Sequence, residues 1–134
     1  ISGDGTWAKH TYSFNEIIGS NANNIISGSR VDSAPDTLAH MRLSFLPTAS
    51  NKIELEWRHV GGYFTNPGNT NKYPGHNIFI TRFTYAFDEN IKLFGRVDNI
   101  FDKKYADRAD YAFGNERYFP GRPRTLFFGL STSF

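Results

Sequence analysis

The sequence has no cysteine in its 134 residues. A disulfide framework, a thiolate metal site and a thiol nucleophile are therefore excluded. It also has no run of 18 apolar residues, which excludes a transmembrane helix. Membrane-spanning strands stay possible, because such a strand needs only about 9–11 residues with apolar side chains at alternate positions. The net charge of +2 is small and the charges are scattered, which argues against nucleic acid as a partner.

Aromatic residues and glycine are abundant instead. The chain has 13 Phe, 7 Tyr, 2 Trp and 12 Gly. No segment free of Gly, Pro and β-branched residues is long enough for a substantial helix, so the composition predicts an all-β fold. The length suits one domain with a core of its own. The chain begins at Ile1 without a signal-peptide pattern, and we expect either a mature form or a piece of a longer protein.

Alternation of apolar and polar residues predicts six strands. The clearest is the third, in which Ile53, Leu55 and Trp57 share one face and charged residues occupy the other. The first has the weakest alternation. The predicted strands are residues 6–15, 37–46, 52–62, 76–87, 91–101 and 126–134.

The predicted connections alternate between long and short. Residues 16–36, 63–75 and 102–124 form long loops, whereas 47–51 and 88–90 form short turns. In an up-and-down meander, alternate connections lie at the same end of the sheet. All long loops should therefore project from one rim, an asymmetry typical of outer-membrane barrels.

The alternation alone leaves open which face points inward. In a soluble β-barrel that binds an apolar ligand, the apolar face is inside. In a membrane barrel it faces lipid, and aromatic residues near the strand ends favour that alternative. Six strands cannot close a membrane barrel, and an open sheet would leave unpaired backbone groups in lipid. The membrane interpretation therefore requires further strands, either from a longer chain or from several self-associating, porin-like chains.

Two motifs in the last third resemble a known family. Residues 97–105, Val-Asp-Asn-Ile-Phe-Asp-Lys-Lys-Tyr, resemble the N-(L/I)-F-D-x-x-Y element near the end of TonB-dependent outer-membrane receptors. Residues 118–125, Tyr-Phe-Pro-Gly-Arg-Pro-Arg-Thr, are similar to their Y-x-P-G-x-P-R closing element, and Phe134 ends the strand that follows. Independently of the family, we expect the motif residues to end strands and shape the rim. These residues are Asp98, Asn99, Phe101, Asp102, Tyr105, Pro120, Gly121 and Pro123.

The resemblance implies that residues 1–134 are the C-terminal portion of a transmembrane barrel of about 22 strands. It places the short turns in the periplasm and the long loops outside a Gram-negative cell. The implied function is a receptor for TonB-energised uptake of an iron chelate or a similar scarce nutrient. The family's plug domain and TonB-contacting box are not in the sequence, so contact with the TonB complex is expected only through that missing part.

The resemblance also implies two further partners, outer-membrane lipid and the barrel-assembly machinery. The assembly machinery is expected to recognise the last strand. The residues of this expected assembly signal are Leu126, Phe128, Leu130 and Phe134.

We expect ligand binding by the long loops rather than catalysis. Aromatic rings together with a cation suit a planar, anionic iron chelate. The alternative is that these rings pack the loops together or lie at the outer interface. The candidates are Tyr63, Phe64, Tyr73, Tyr105, Tyr111, Phe113, Arg117 and Tyr118. The four histidines are too dispersed for a metal site, and no catalytic triad or carboxylate pair is evident. No enzyme activity and no cofactor are predicted.

Overall fold

The protein is described by a computed structural model that covers residues 1–19 and 23–133 and is all-β. Six strands form one antiparallel sheet in the order β1-β2-β3-β6-β7-β10, and β4-β5 and β8-β9 form separate hairpins. The strands are β1 (Ser2–Trp7), β2 (Thr37–Thr48), β3 (Asn51–Val60), β4 (Tyr63–Phe64), β5 (Lys72–Tyr73), β6 (His76–Ala86), β7 (Ile91–Asp98), β8 (Ala106–Ala112), β9 (Asn115–Pro120) and β10 (Thr125–Thr132). The all-β, antiparallel, six-stranded fold predicted from the sequence is confirmed.

No helix in the described part of the chain is long and apolar enough to cross a membrane.

Side chains close the two short turns at one end of the sheet. Between β2 and β3, Thr48 Oγ1 accepts hydrogen bonds from the backbone N and the Nδ2 of Asn51 at 3.2 and 3.0 Å. Between β6 and β7, Asp88 Oδ1 accepts from the backbone N atoms of Asn90 and Ile91, each at 2.8 Å. These polar side chains replace ladder hydrogen bonds at the strand ends, so that the turns stay short.

The three long connections leave from the opposite end, which we call the loop rim. Trp7 pairs with Thr37, Val60 with His76, and Asp98 with Thr125, so each long connection joins strands that end side by side there. The hairpins β4-β5 and β8-β9 lie within the second and third of these connections. The predicted separation of long loops and short turns is confirmed.

The strand register sorts the side chains of the sheet onto two faces, because directly paired residues share a face. The apolar face carries Met41, Leu43, Phe45, Ile53, Leu55, Trp57, Phe79, Phe83, Leu93, Val97, Leu126, Phe128 and Leu130. The charged face carries Asp4, His40, Arg42, Glu54, Glu56, Arg58, Arg82, Lys92, Arg96 and Asp98, with Ile78 and Ile80 among them.

Burial on the two faces is opposite to that of a soluble barrel. Phe128 and Leu130 of the apolar face are 78% and 63% exposed, whereas Glu56 and Ile80 of the charged face are 0% and 3% exposed. A soluble barrel that binds an apolar ligand would enclose the apolar face. In this chain the buried residues lie at the centre of the charged face instead.

The first strand differs from its prediction. It comprises Ser2–Trp7 rather than residues 6–15, and it pairs with β2 from Thr37 to Arg42. Gly and Asp are depleted in strands, so residues 2–6 have low intrinsic β propensity. Pairing with a strongly alternating neighbour overrides that propensity. Residues 8–15 instead enter the first connection, where Thr11 forms an isolated bridge with Arg30.

The third connection also differs from its prediction, because residues 102–124 contain the hairpin β8-β9 instead of a loop without strands. Phe134, the last residue of the predicted assembly signal, lies outside the described residues. The sheet is open, since the outer edges of β1 and β10 have no strand partner in the described part of the chain.

Candidate ligand-binding loops and the charged face

Two buried tyrosines join the hairpins of the second and third connections. Tyr63 Oη accepts a hydrogen bond from Ala109 N at 2.8 Å. Tyr73 Oη accepts from Ala106 N at 3.1 Å and lies 3.2 Å from Ala106 O. The two rings are 5.3 Å apart, and together with both alanines they form a small buried cluster. Burial raises the pKa of Tyr73, so its hydroxyl is neutral at physiological pH.

Gly75 allows the second connection to return closely against the sheet, next to the contact of Tyr73 with the third connection. Its φ is +84°, and a Cβ there would lie 2.3 Å from the carbonyl oxygen of Val60. Only glycine fits such a close approach in that conformation. The next residue, His76, then has its Nδ1 2.9 Å from Tyr73 Oη and its ring 4.5 Å from that of Tyr105.

The first connection is tied to the second by Asn69 and Phe64. Asn69 Oδ1 accepts from Arg30 N at 2.7 Å, and Asn69 Nδ2 donates to Arg30 O at 2.8 Å. Ser33 N donates to Phe64 O at 2.8 Å. The three connections therefore form one hydrogen-bonded layer over the loop rim.

The two motifs from the sequence meet at the base of the third connection. Asn99, at φ +51° and 2% exposed, donates from Nδ2 to the carbonyl oxygens of Lys103 and Arg122. Asp102 Oδ1 accepts from Arg124 N at 2.9 Å. A Cβ on Gly121 would lie 2.2 Å from the ring of Tyr105, so the ring packs directly on the glycine backbone. These contacts hold together the two ends of the connection.

Other motif residues lie around this base. Asp98 is buried and accepts from Arg96 Nε at 2.6 Å. Phe101 is largely exposed and packs edge-on against Phe79 of the apolar face, with ring centroids 5.4 Å apart. Pro120 ends β9, and Pro123 lies just before β10. A structural role of these residues at the rim stays a prediction.

The predicted ligand-contact residues lie in different environments. Tyr63 and Tyr73 are buried between the hairpins, which is the geometry of the packing alternative rather than of a surface contact. Tyr118 is exposed, and the others are half-buried. Ligand contact by these residues stays a prediction. The half-buried residues of this set are Phe64, Tyr105, Tyr111 and Arg117, and Phe113 at the tip of β8-β9 is almost fully exposed.

One surface of the hairpin β8-β9 combines cations with aromatic rings. Asp110 accepts from Arg117 Nε at 2.7 Å and also pairs with Arg108. Hydrogen bonding from Arg117, the largest effect, holds the pKa of Asp110 below its usual value. Arg108 lies 5.0 Å from the ring centre of Phe119, within cation–π range. The sequence interpretation missed Arg108 and Phe119, although their two-residue spacing from Asp110 and Arg117 would have placed them on the same strand face.

The charged face centres on Glu56. Its carboxylate accepts from Arg58 Nε at 2.5 Å and from Arg82, and it lies 3.4 Å from Arg42 Nη2 and 3.2 Å from His40 Nε2. Arg42 Nε is buried with no hydrogen-bond partner in the described part of the chain. One fully buried carboxylate therefore neutralises three guanidinium groups only in part.

A cavity of about 320 Å³ opens on the charged face near the loop rim. Arg58, Arg96 and Arg122 line it, together with the carboxylates of Asp98 and Asp107. The arrangement can accept polar, charged groups. Among residues 1–19 and 23–133, no group of three or more His, Asp or Glu side chains could hold a metal ion.

No family model matches the sequence. Solved structures match the fold. The ferric-catecholate import receptor Fiu from K12 E. coli, in its closed form, superimposes with a TM-score of 0.79 at 19% identity, over 98% of this chain and 18% of that one. The ferric yersiniabactin uptake receptor FyuA from Yersinia pestis matches with a TM-score of 0.70 at 18% identity, over 86% of this chain and 19% of that one.

A third match is the ferric citrate transporter FecA in its unliganded form, with a TM-score of 0.69 at 23% identity, over 87% of this chain and 18% of that one. The fold is that of part of a TonB-dependent receptor barrel. By their descriptions these proteins are receptors and transporters rather than enzymes. This chain spans less than a fifth of the length of each TonB-dependent receptor named here.

Proposed function

We propose that residues 1–134 are the C-terminal portion of the barrel of an outer-membrane receptor for TonB-energised uptake of an iron chelate or a similar scarce nutrient. The observation that carries the proposal is the inverted burial of the sheet. Large apolar side chains of one face are exposed and the centre of the charged face is buried, in a fold shared with receptor barrels. A sheet of this kind suits lipid outside and polar contents inside.

The open edges support a longer barrel. Each unpaired backbone N–H or C=O group in hydrocarbon costs several kcal/mol. The outer edges of β1 and β10 have such groups along their length. In the proposed receptor, strands from the rest of the protein pair with both edges, and a plug domain outside this sequence makes the contact with the TonB complex.

The long connections lie outside the cell in this proposal, and the short turns lie in the periplasm. The hydrogen-bonded layer of the three connections then covers the barrel entrance. The half-buried cation Arg117 and the exposed ring of Tyr118 are available to an anionic chelate. Tyr63 and Tyr73 stabilise the layer instead of contacting the ligand.

The natural gene product that contains this chain tests the proposal. We expect it in the outer-membrane fraction, as a heat-modifiable barrel, and we expect its deletion to abolish uptake of one radiolabelled ferric chelate from a panel. Uptake should also stop when TonB is removed. A soluble gene product would exclude the receptor. A folded assembly of several chains of this length would favour the porin-like alternative.

Recognition by the barrel-assembly machinery is a separate part of the proposal. Leu126, Phe128 and Leu130 lie on the apolar face of β10, and Phe134 would continue their two-residue spacing. Deleting Phe134 from the full-length protein should lower the amount of heat-modifiable barrel in the outer membrane. Deleting Ile17, an exposed residue of the first connection that lies outside the strands, provides the control. Wild-type amounts of barrel without Phe134 would contradict the assignment.

A further inference from the structure

Two Phe-Gly dipeptides lie opposite each other in the last strand pair of the sheet. In β7 the dipeptide is Phe94-Gly95, and in β10 it is Phe128-Gly129. The register pairs Phe94 with Gly129 and Gly95 with Phe128. Each ring therefore lies opposite a residue without a side chain, once on the charged face and once on the apolar face.

The two ring contacts differ in how closely they fit. A Cβ on Gly129 would lie 2.1 Å from Cζ of Phe94, so the ring occupies the space where that side chain would be. A Cβ on Gly95 would lie 3.5 Å from the ring of Phe128, which is ordinary van der Waals contact. Neither glycine has a positive φ, so the backbone accepts alanine at both positions. Only the pair on the charged face requires glycine, and it does so because of the Phe94 ring.

The alternation of β10 does not by itself define the pairing of this strand with β7. A slip of one residue would move every side chain to the other face, and the apolar pattern opposes it. A slip of two residues keeps every side chain on its own face. It would place Phe94 opposite Phe127 or opposite Ser131 instead of Gly129. Both of these residues have side chains in the space that the ring fills in the observed register.

Ion pairs cannot select the register of β10 either. In the middle of the sheet, the paired residues Arg42 and Glu56 have opposite charges, and a slip of β2 against β3 would separate them. The strand β10 contains no charged residue. Its cation–π contact, from Arg96 to the ring of Phe127, has a distance of 5.9 Å, at the outer limit of such contacts. The closer ring-on-glycine contact is therefore the main feature that distinguishes the observed register from a slip of two residues.

We propose that the ring of Phe94, packed on Gly129, fixes the register of β10 and so sets the position of the free edge of this strand. A slip of two residues would shift that edge by about 7 Å along the strand. The inference rests on the proposed function, in which a strand from the rest of the protein pairs with this edge and closes the barrel. Strand number and stagger are linked in a closed barrel, so a shifted edge would lose part of that pairing.

The test reads the register directly, by disulfide formation in the full-length protein assembled in cells. The chain has no cysteine, so an introduced pair is its only source of an internal disulfide. Lys92→Cys with Ser131→Cys reports the observed register. Lys92→Cys with Ser133→Cys, and Asn90→Cys with Ser131→Cys, report slips of two residues in the two directions. The measured quantity is the ratio of slipped to native disulfide.

Phe94→Ala should raise this ratio about fivefold, which is the upper range for one cross-strand aromatic contact. Phe94 is 45% exposed, so its removal leaves no enclosed cavity and the variant should still fold. Gly129→Ala should raise the ratio as well, because the added Cβ displaces the ring. Gly95→Ala is the matched control and should give the wild-type ratio. Combining Phe94→Ala with Gly129→Ala should recover the amount of barrel lost to overlap but not the wild-type ratio.

Three results would overturn the assignment. These are an unchanged ratio in Phe94→Ala, an equal rise in Gly95→Ala, and a wild-type ratio in the double variant. Membrane fractionation of the wild type separates this failure from that of the proposed function. A soluble gene product refutes the receptor, whereas a heat-modifiable outer-membrane barrel with unchanged ratios in the variants refutes only the role of Phe94.

Discussion

Asn99 and Arg122 are linked across the base of the third connection, where Asn99 Nδ2 donates to the carbonyl oxygen of Arg122 at 3.1 Å. The same amide group also donates to Lys103 O and accepts from Lys103 N, each at 2.9 Å. One buried side chain thus holds the residue after β7 close to the residues before β10. The two sequence motifs are two halves of one structural joint.

Replacing Asn99 with alanine should open this joint. The substitution removes three hydrogen bonds and places alanine at φ +51°. We expect it to lower the free energy of unfolding by about 2–4 kcal/mol. The expected observation is faster cleavage of residues 102–124 by added protease in the full-length protein. Asn99→Gly provides the control, since it tolerates the backbone conformation but also lacks the amide. Equal protection of wild type and Asn99→Ala would show that the amide does not hold the joint.

Gly121 makes the second contact of the joint, and it should not accept a side chain. A Cβ at Gly121 would overlap the ring of Tyr105 at 2.2 Å, so Gly121→Ala must displace the ring or the backbone. We expect it to lower the temperature at which the heat-modifiable form is lost. Adding Tyr105→Ala should recover part of that loss by vacating the space. A double variant that is no more stable than Gly121→Ala would contradict this steric explanation.

The strand pattern was predictable because strong alternation and strand register agree. In β3, Ile53, Leu55 and Trp57 alternate with charged residues, and the predicted faces are those of the structure. β1 was misplaced because its glycines give no local signal, and only its pairing with β2 defines it.

The site was less predictable. The hairpin β8-β9 begins Ala106-Asp107-Arg108-Ala109, a weak strand pattern that the hydroxyls of Tyr63 and Tyr73 stabilise from another connection. The sequence cannot indicate which tyrosine is buried, because the partner of each lies more than 30 residues away. The sequence likewise cannot indicate that Glu56 is buried, because its partner Arg82 is 26 residues away.

Tyr63→Phe should loosen the loop layer. The buried N–H of Ala109 would lose the acceptor that lies 2.8 Å away. Leaving this buried donor unpaired should lower the free energy of unfolding by about 1–3 kcal/mol. Hydrogen exchange measured by mass spectrometry should accelerate in β8 and not in the central strands. Tyr111→Phe is the matched control in the same hairpin, since the described residues provide no hydrogen-bond partner for the Tyr111 hydroxyl. Equal exchange in β8 for the wild type and Tyr63→Phe would show that the hydroxyl does not couple the connections.

Glu56→Gln should destabilise the barrel far more than Glu54→Gln. Glu56 is fully buried among Arg42, Arg58, Arg82 and His40, whereas the Glu54 side chain is 16% exposed and pairs with Lys52 at 3.2 Å. Loss of the central carboxylate leaves three guanidinium groups in mutual repulsion. Because these guanidinium groups are partly exposed, we expect a cost of about 1–3 kcal/mol, measured as a lower temperature for loss of the heat-modifiable form.

A double-mutant cycle identifies the origin of that cost. Removing a cation should be less harmful once the anion is gone, so Arg82→Gln should destabilise the Glu56→Gln protein less than it destabilises the wild type. Equal effects of Arg82→Gln in the two backgrounds would mean that Glu56 stabilises the sheet through packing and hydrogen bonds to the other partners. A difference above about 0.5 kcal/mol, the usual limit of additivity for independent sites, would assign the stabilisation to the pair of charges across β3 and β6.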